Sequence, residues 1–183
     1  MSTTFNVPTR GEVSENNQVI FDQLEKGVGF VPNLYAAYAY NETALADYLA
    51  LSNRQSTLSA KEKEVINLAV SQVNDCLYCL SAHTAIGKMN GFTDEEILEL
   101  RAGEASFDAK LDALAKFAKN ITINRSKPDQ EVLTNLLEAG YDKANLIDIL
   151  MVIGDKTISN FINGATQIPV DFPVAQELET VEA

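Results

Sequence analysis

The residues best suited to chemistry are the two cysteines and the single histidine of the chain, which fall within one short stretch. Cys76, Cys79 and His83 follow the pattern C-x2-C-x3-H at the start of a predicted helix. Positions three, four and seven apart share one helical face, so both sulfurs and the imidazole should face the same way. Two thiols at this spacing can alternate between a dithiol and a disulfide.

A thiol must lose its proton before it reacts, and an ordinary cysteine, with a pKa of about 8.5, is only slightly ionised at neutral pH. The first turn of a helix stabilises an anion by roughly 0.3–1 kcal/mol, which favours the thiolate at Cys76. His83 can exchange a proton with a thiol near neutral pH. Glu64, twelve positions before Cys76 on the preceding predicted helix, is the candidate carboxylate for orienting or deprotonating His83.

Two plainer interpretations of these residues stay open. Free cysteines often serve only as small apolar side chains in a core. Cys76, Cys79, His83 and Glu64 also form a donor set that zinc accepts, although the chain has no second C-x-x-C pair. Tyrosines 35, 38, 40 and 48 are expected to pack in the core or at a subunit interface, where they could also wall a pocket.

The amino-acid composition indicates which kinds of binding partner are not expected. The chain has 14 basic and 26 acidic residues, a formal charge of −12, so binding to nucleic acid or to an anionic membrane is not expected. Its apolar runs are much shorter than the roughly 20 residues of a spanning helix. No signal-peptide pattern is present at the start, so a cytoplasmic location with reduced thiols is expected. No glycine-rich phosphate loop occurs, and no cofactor or metal is expected.

Apolar spacing of three and four residues predicts an all-α protein, a compact bundle of about eight helices with an extended C-terminal tail. We expect an N-terminal arm over residues 1–14, one helical domain over 15–167 and a tail over 168–183. Ser14 should cap the first helix, with Val19, Ile20 and Leu24 on its inner face. Two S/T-x-x-E capping boxes, Ser59 with Glu62 and Thr93 with Glu96, should start two later helices, and Asp142 should cap the longest one.

In chain order, Glu64, Cys76, Cys79 and His83 read E-x11-C-x2-C-x3-H. This pattern resembles the active-site signature of alkylhydroperoxidase D-like proteins in the carboxymuconolactone decarboxylase superfamily. Three further segments are similar to that family, so the resemblance covers about residues 29–173. They are VPNL at 31–34, GFTDEEI at 91–97 and PVDFP at 169–173.

The resemblance implies a thiol-dependent alkyl hydroperoxide reductase with an antioxidant role, built as a homotrimer or a pair of trimers. It implies that Cys79 attacks the peroxide and becomes a sulfenic acid, and that Cys76 donates a proton and then forms the disulfide. Glu64 and His83 would relay protons. An external dithiol, a lipoyl- or thioredoxin-like carrier, would restore the thiols.

Two features of the sequence disagree with what the resemblance implies. Tyr78 stands between the cysteines, where well-studied members have a histidine that joins the proton relay. The helix dipole favours the thiolate at Cys76, whereas the resemblance assigns peroxide attack to Cys79, so the order of the two pKa values is left open.

Two other functions remain alternatives. The superfamily is named for decarboxylation of a small lactone acid, although those members generally lack this cysteine pair. A non-catalytic redox sensor, in which a disulfide between Cys76 and Cys79 changes assembly without turnover, would use the same residues. Slow, stoichiometric oxidation would distinguish the sensor from a peroxidase.

Overall fold

The computed structural model describes residues 5–178 and confirms the all-α prediction, with nine α-helices and no strand in this range. The count agrees with the expected number of about eight. The helices are α1 Glu15–Val28, α2 Asn33–Tyr38, α3 Ala44–Ser52, α4 Ala60–Val73, α5 Leu77–Met89, α6 Asp94–Ala102, α7 Ala109–Ile123, α8 Gln130–Glu138 and α9 Lys143–Thr166.

The predicted helix starts are found where local sequence specifies them. Ser59 Oγ accepts the backbone N–H of Glu62 at 3.3 Å, and Glu62 Oε2 accepts the N–H of Ser59 at 2.8 Å, which is the reciprocal pattern of a capping box. Ser14 caps α1, and Gly29, at φ 93°, ends it in the left-handed conformation that glycine adopts without strain.

Helix α4 is the central element of the bundle and packs against α5, α6, α7 and α9. Its residues 64–71 are all buried, as expected for a helix that is surrounded by others. The side facing α6 and α7 belongs to the main apolar core, with Val65 and Leu68 fully buried. The cysteines lie in a second apolar cluster, which α1, α2, α3 and the start of α5 build.

Both ends of the described chain are attached to the bundle. A 3₁₀ helix at Arg10–Glu12 is joined to α1 by the Arg10–Asp22 ion pair. The tail is extended as far as residue 178, and Asp171 Oδ2 accepts the N–H of Asn33 at 2.7 Å. The parts of the expected arm and tail at 1–4 and 179–183 lie outside the described residues. None of the helices in 5–178 is long and apolar enough to cross a membrane.

Further contacts hold the tail against α5 and α6. Ser81 Oγ accepts the N–H of Ala175 at 3.0 Å, and Arg101 donates to the carbonyl of Gln176 at 2.6 Å. Because these partners lie on the two helices after the cysteines, the tail passes over the region that contains the site. Its Phe172 therefore becomes part of a wall there.

Candidate active site

Cys76 is the N-cap of α5 rather than a residue within it. Helix α4 ends at Val73, and Asp75 adopts a left-handed φ of 50°, so the chain reverses direction within a few residues. Cys76 follows with a non-helical backbone, and its Sγ accepts the backbone N–H of Cys79 at 3.4 Å. This turn explains how the end of α4 positions both thiols against neighbouring helices.

The two thiols are free, buried and in direct contact, with their sulfurs 2.7 Å apart. This separation exceeds the disulfide bond length of about 2.05 Å, so a small side-chain movement suffices to form the bond. Cys76 also contacts α9, where Asn163 Oδ1 lies 3.6 Å from its sulfur. Cys79 instead faces a cavity that Cys76 does not line.

The two cysteines differ in the direction in which their pKa values are shifted. The hydrogen bond that the Cys79 thiol donates to a Cys76 thiolate lowers the pKa of Cys76 to about 7, against the opposing effect of burial. The same hydrogen bond, together with burial, raises the pKa of Cys79 well above its ordinary value. As the pH rises above 7, the pair therefore loses one of its two protons and the remaining one resides on Cys79, in agreement with the preference of a helix start for the anion at Cys76.

Glu64 and His83 form a second pair. His83 Nδ1 lies 2.7 Å from Glu64 Oε2, and Asn67 Nδ2 donates to Glu64 Oε1 at 3.0 Å. Burial opposes ionisation of Glu64, but the attraction and hydrogen bond of His83 outweigh it, and the pKa of Glu64 lies below its ordinary value. Burial also lowers the pKa of His83, and Glu64 offsets this only in part. Since a carboxylate only accepts, Nδ1 carries the proton of a neutral imidazole and Nε2 remains a proton acceptor.

The four predicted residues are thus neighbours, arranged as two pairs. Cys79, His83 and Glu64 line one cavity, but neither His83 nor Glu64 forms a hydrogen bond to a sulfur in the described range. Within residues 5–178, no group of three or more His, Cys, Asp or Glu side chains has the arrangement of a metal site. The donor set considered for zinc does not converge on one point.

The cavity beside Cys79 has a volume of about 670 Å³. This is within the range of roughly 300–1,000 Å³ found for pockets that bind organic molecules. Its walls are mainly aromatic and aliphatic, contributed by α2, α3, α5, α9 and the tail. They include Phe30, Leu34, Tyr35, Tyr48, Tyr78 and Phe172. Two of the tyrosines expected to pack in the core, Tyr35 and Tyr48, therefore also wall a pocket.

The cavity also has charged residues that were not predicted from the sequence, and one of them is a buried lysine. Lys156 on α9 is only 5% exposed, yet it lines the same cavity as Cys79 and His83. It follows the buried Ile149 and Val152 at seven and four positions, so it lies on the buried stripe of its helix. A lysine in the middle of an apolar helical stripe was the signal that could have revealed it.

Comparison with known proteins agrees with the resemblance seen in the sequence. A model of the carboxymuconolactone decarboxylase family matches residues 36–120. YdfG, an uncharacterized protein of Bacillus subtilis (strain 168), is 28% identical over 102 residues, which make up 55% of this chain and 69% of YdfG. An uncharacterized peroxidase-related protein from Silicibacter sp. TM1040 is 26% identical, with a TM-score of 0.79 over 92% of this chain and 94% of that one.

Two other solved structures share the fold at lower identity. An alkylhydroperoxidase AhpD core protein from Ralstonia eutropha JMP134, described as peroxidase-related, is 20% identical with a TM-score of 0.81 over 91% of each chain. The debrominase Bmp8 is 19% identical with a TM-score of 0.76 over 93% of this chain and 94% of Bmp8. Over residues 36–120 the chain is similar to the carboxymuconolactone decarboxylase family, and it has the alkylhydroperoxidase D-like fold.

Proposed function

We propose that the protein is a thiol-dependent hydroperoxide reductase whose two cysteines alternate between dithiol and disulfide. One observation carries the proposal: Cys79 faces the cavity, whereas Cys76 lies 2.7 Å behind it and does not line that cavity. One thiol can therefore meet a substrate, and the other is positioned to attack the first after oxidation. A purely structural pair of cysteines has no need of an adjoining cavity.

The contact between the sulfurs reconciles the acidity of Cys76 with peroxide attack by Cys79. The proton of Cys79 passes to the Cys76 thiolate, and the Cys79 thiolate attacks the terminal oxygen of the hydroperoxide. The O–O bond breaks, Cys79 becomes a sulfenic acid, and the departing alkoxide takes the proton from Cys76 to give an alcohol. Cys76 then attacks the Cys79 sulfur, hydroxide leaves and is protonated to water, and a disulfide forms.

The Glu64–His83 pair is proposed to relay protons in this cycle. His83 Nε2 is a neutral acceptor in the cavity wall, and Glu64 fixes the orientation of the ring and favours its protonated form. A water molecule or the substrate would connect the imidazole with the sulfurs, because no direct hydrogen bond joins them in the described residues. The proposed role therefore concerns the transfer of the Cys76 proton to the leaving oxygen.

An external dithiol is needed to complete the cycle. It gives two electrons and two protons to the disulfide, so that hydroperoxide and dithiol become alcohol, water and the oxidised carrier. We propose a lipoyl- or thioredoxin-like carrier and a cytoplasmic setting, where such carriers keep thiols reduced. The charge of −12 would favour a carrier with a positively charged docking surface.

Assembly into a homotrimer or hexamer is also part of the proposal. Helix α9 is apolar on its outer side as well as its inner one, and its exposed outer residues recur at three, four and seven positions along one stripe. We call this set the α9 stripe; it consists of Ile147, Leu150, Met151, Ile158 and Phe161. A continuous exposed apolar face of this kind is typical of a subunit interface.

The aromatic walls of the cavity favour a second candidate reaction. Bmp8, which shares the fold, is a debrominase, and a variant of it was solved with 2,3,4-tribromopyrrole. Reductive debromination would use the same pair: a bromoarene and the dithiol give the arene with hydrogen in place of bromine, bromide, a proton and the disulfide. Tyr35 and Tyr48 would offer faces to a flat ring. Bromide release from this pyrrole measures the reaction directly.

The decisive experiment follows thiols and peroxide together. Reduced protein is mixed with cumene hydroperoxide, with and without dihydrolipoamide, and compared with Cys79→Ser and Cys76→Ser. We expect many turnovers only with the dithiol, a loss on the order of 10³-fold in Cys79→Ser, and a trapped sulfenic acid in Cys76→Ser. Full turnover in Cys79→Ser would overturn the assignment. One oxidation per subunit with no recycling would favour the redox sensor, and unreactive thiols would favour decarboxylation.

A further inference from the structure

The ammonium group of Lys156 has no counter-ion in the part of the chain that the structure describes. Lys156 is 95% buried, since 5% of it is exposed, and it lines the cavity beside Cys79. No carboxylate of residues 5–178 lies within 4.0 Å of it, and it forms no hydrogen bond to them. A buried charge without a partner is costly, so this position calls for an anion that enters the cavity.

The carboxylates that line this cavity form no ion pair with Lys156. Both oxygens of Glu64 have partners, His83 and Asn67. Asp155 precedes Lys156, and successive residues point about 100° apart around a helix. Asp155 lies near Tyr48, where burial and the Asp155 carboxylate raise the pKa of the phenol well above its ordinary value, and Asp155 Oδ1 has no hydrogen-bond partner in the described residues. Neither acid forms an ion pair with Lys156.

The charges that face the cavity balance one another before a ligand binds. Lys63 and Lys156 supply two cations, and Glu64 and Asp155 supply two anions. These four charges sum to zero, and the negative charge of the ionised cysteine pair resides on Cys76, which does not line the cavity. The remaining walls are mainly apolar, so a ligand must bring a hydrophobic body along with its anionic group.

We propose that Lys156 binds the carboxylate of the substrate, and that the substrate is a carboxylated organic hydroperoxide with an apolar or aromatic body. This inference rests on the proposed peroxidase function and specifies its substrate class. The peroxide group lies at Cys79, the body occupies the aromatic-walled volume of about 670 Å³, and the carboxylate pairs with the ammonium of Lys156.

A carboxylate matches this site better than other anions do. A single lysine is a compact charge with three donors, which suits a singly charged group. Phosphate sites usually combine several basic side chains or a helix N-terminus, and this cavity offers only one buried cation. Hydrogen peroxide needs neither the volume nor the charge.

A matched pair of substrates tests the proposal. Cumene hydroperoxide and its 4-carboxy derivative differ only by the carboxylate, so the ratio of their kcat/KM values isolates its contribution. In the wild-type protein we expect the carboxylated compound to be preferred by about 10- to 100-fold, the range for a hydrogen bond to a charged group. In Lys156→Met the two compounds should become equivalent, and Lys156→Arg should restore part of the preference.

Lys88→Met is the matched control. It removes the same charge from α5, but Lys88 pairs with Asp94 on the surface and does not line the cavity. The preference should be unchanged in this variant. Equal kcat/KM values for the two hydroperoxides in the wild-type protein would overturn the proposal without reference to any variant, so it does not depend on Lys156→Met being well folded.

A binding measurement separates this inference from the peroxidase proposal. 4-Isopropylbenzoate has the carboxylate and the apolar body but no peroxide, and its methyl ester lacks the charge. Calorimetry should detect binding of the acid at least about tenfold tighter than the ester in wild-type protein, but not in Lys156→Met. If the acid binds in this way while no hydroperoxide is consumed, the anion site stands and the peroxidase proposal fails. Equal binding of acid and ester would overturn the anion site.

Discussion

The hydroxyl of Tyr78 accepts a hydrogen bond from the backbone N–H of Leu34, 3.2 Å away, and its ring meets Phe172 edge to face at 5.8 Å. The residue between the two cysteines thus joins α5 to α2 and to the tail. Burial raises the pKa of Tyr78 well above its ordinary value, so the phenol stays neutral and is a poor proton donor. Tyr78 is placed to support the cavity wall rather than to transfer a proton.

Tyr78→Phe tests this structural role. The substitution keeps the ring but leaves the Leu34 N–H without its acceptor, which should lower the free energy of unfolding by about 1–3 kcal/mol. The rate of thiol alkylation should stay within a few-fold of wild type. Urea denaturation and iodoacetamide kinetics measure the two quantities. A large loss of thiol reactivity at unchanged stability would instead place Tyr78 in proton transfer.

The reactivity of the cysteine pair should depend on pH through Cys76. Because its pKa is lowered to about 7, the alkylation rate should rise tenfold per pH unit below 7 and level off above it. Cys79→Ala removes the thiol that donates to Cys76, so the midpoint should move up toward the ordinary value of about 8.5. Cys79→Ser retains a donor and should keep the midpoint near that of the wild type. Mass spectrometry of peptides identifies the alkylated residue, and identical midpoints for the alanine and serine variants would contradict this account.

Glu64→Gln should slow peroxide turnover by about 10²-fold, the range for loss of a general acid–base group. The amide keeps the shape of the side chain but removes the negative charge that orients His83 and stabilises its protonated form. Stopped-flow measurement of sulfenic acid formation would detect the effect. Glu95→Gln, the same change on the exposed surface of α6, is the control. If the two variants react equally fast, the Glu64–His83 pair has no part in the thiol reaction.

A polar residue in the α9 stripe should dissociate the assembly. Phe161 is 66% exposed in the single chain, and Phe161→Glu would place a charge in the proposed interface. Sedimentation velocity should show trimer or hexamer for the wild type and a smaller species for the variant. Val19→Glu introduces the same charge at an exposed position of α1 and should leave the mass unchanged. A monomeric wild type would contradict the assignment of this surface.

Sequence patterns predicted the helix starts well because caps are local. Ser14 and the Ser59–Glu62 box each depend on residues within one turn of each other. The inner face of α1 was predicted less well: Val19 is exposed, and the fully buried residue is Asn17. Asn17 donates to two carbonyls of the turn between α2 and α3. Its burial depends on this tertiary contact, which the spacing of apolar residues does not predict.

The residues of the site likewise divide into those that neighbouring sequence positions determine and those that depend on tertiary packing. The pairing of Glu64 with His83, nineteen positions apart, follows from two consecutive helices that reverse direction at Asp75. The positions of Lys156 and Phe172 depend on α9 and the tail, which return to the cysteines only after several helices have packed. Charge and apolarity along the chain do not specify such long-range contacts.

The position of Cys76 at the N-cap of α5 has one more consequence. Its sulfur accepts the backbone N–H of Cys79, and an anionic sulfur is a stronger acceptor than a neutral disulfide sulfur. Oxidation therefore weakens the attachment of the first helical turn, and the Cys79 amide should exchange its hydrogen faster in the oxidised protein than in the reduced one. A single backbone amide would then report the redox state of the whole molecule in solution.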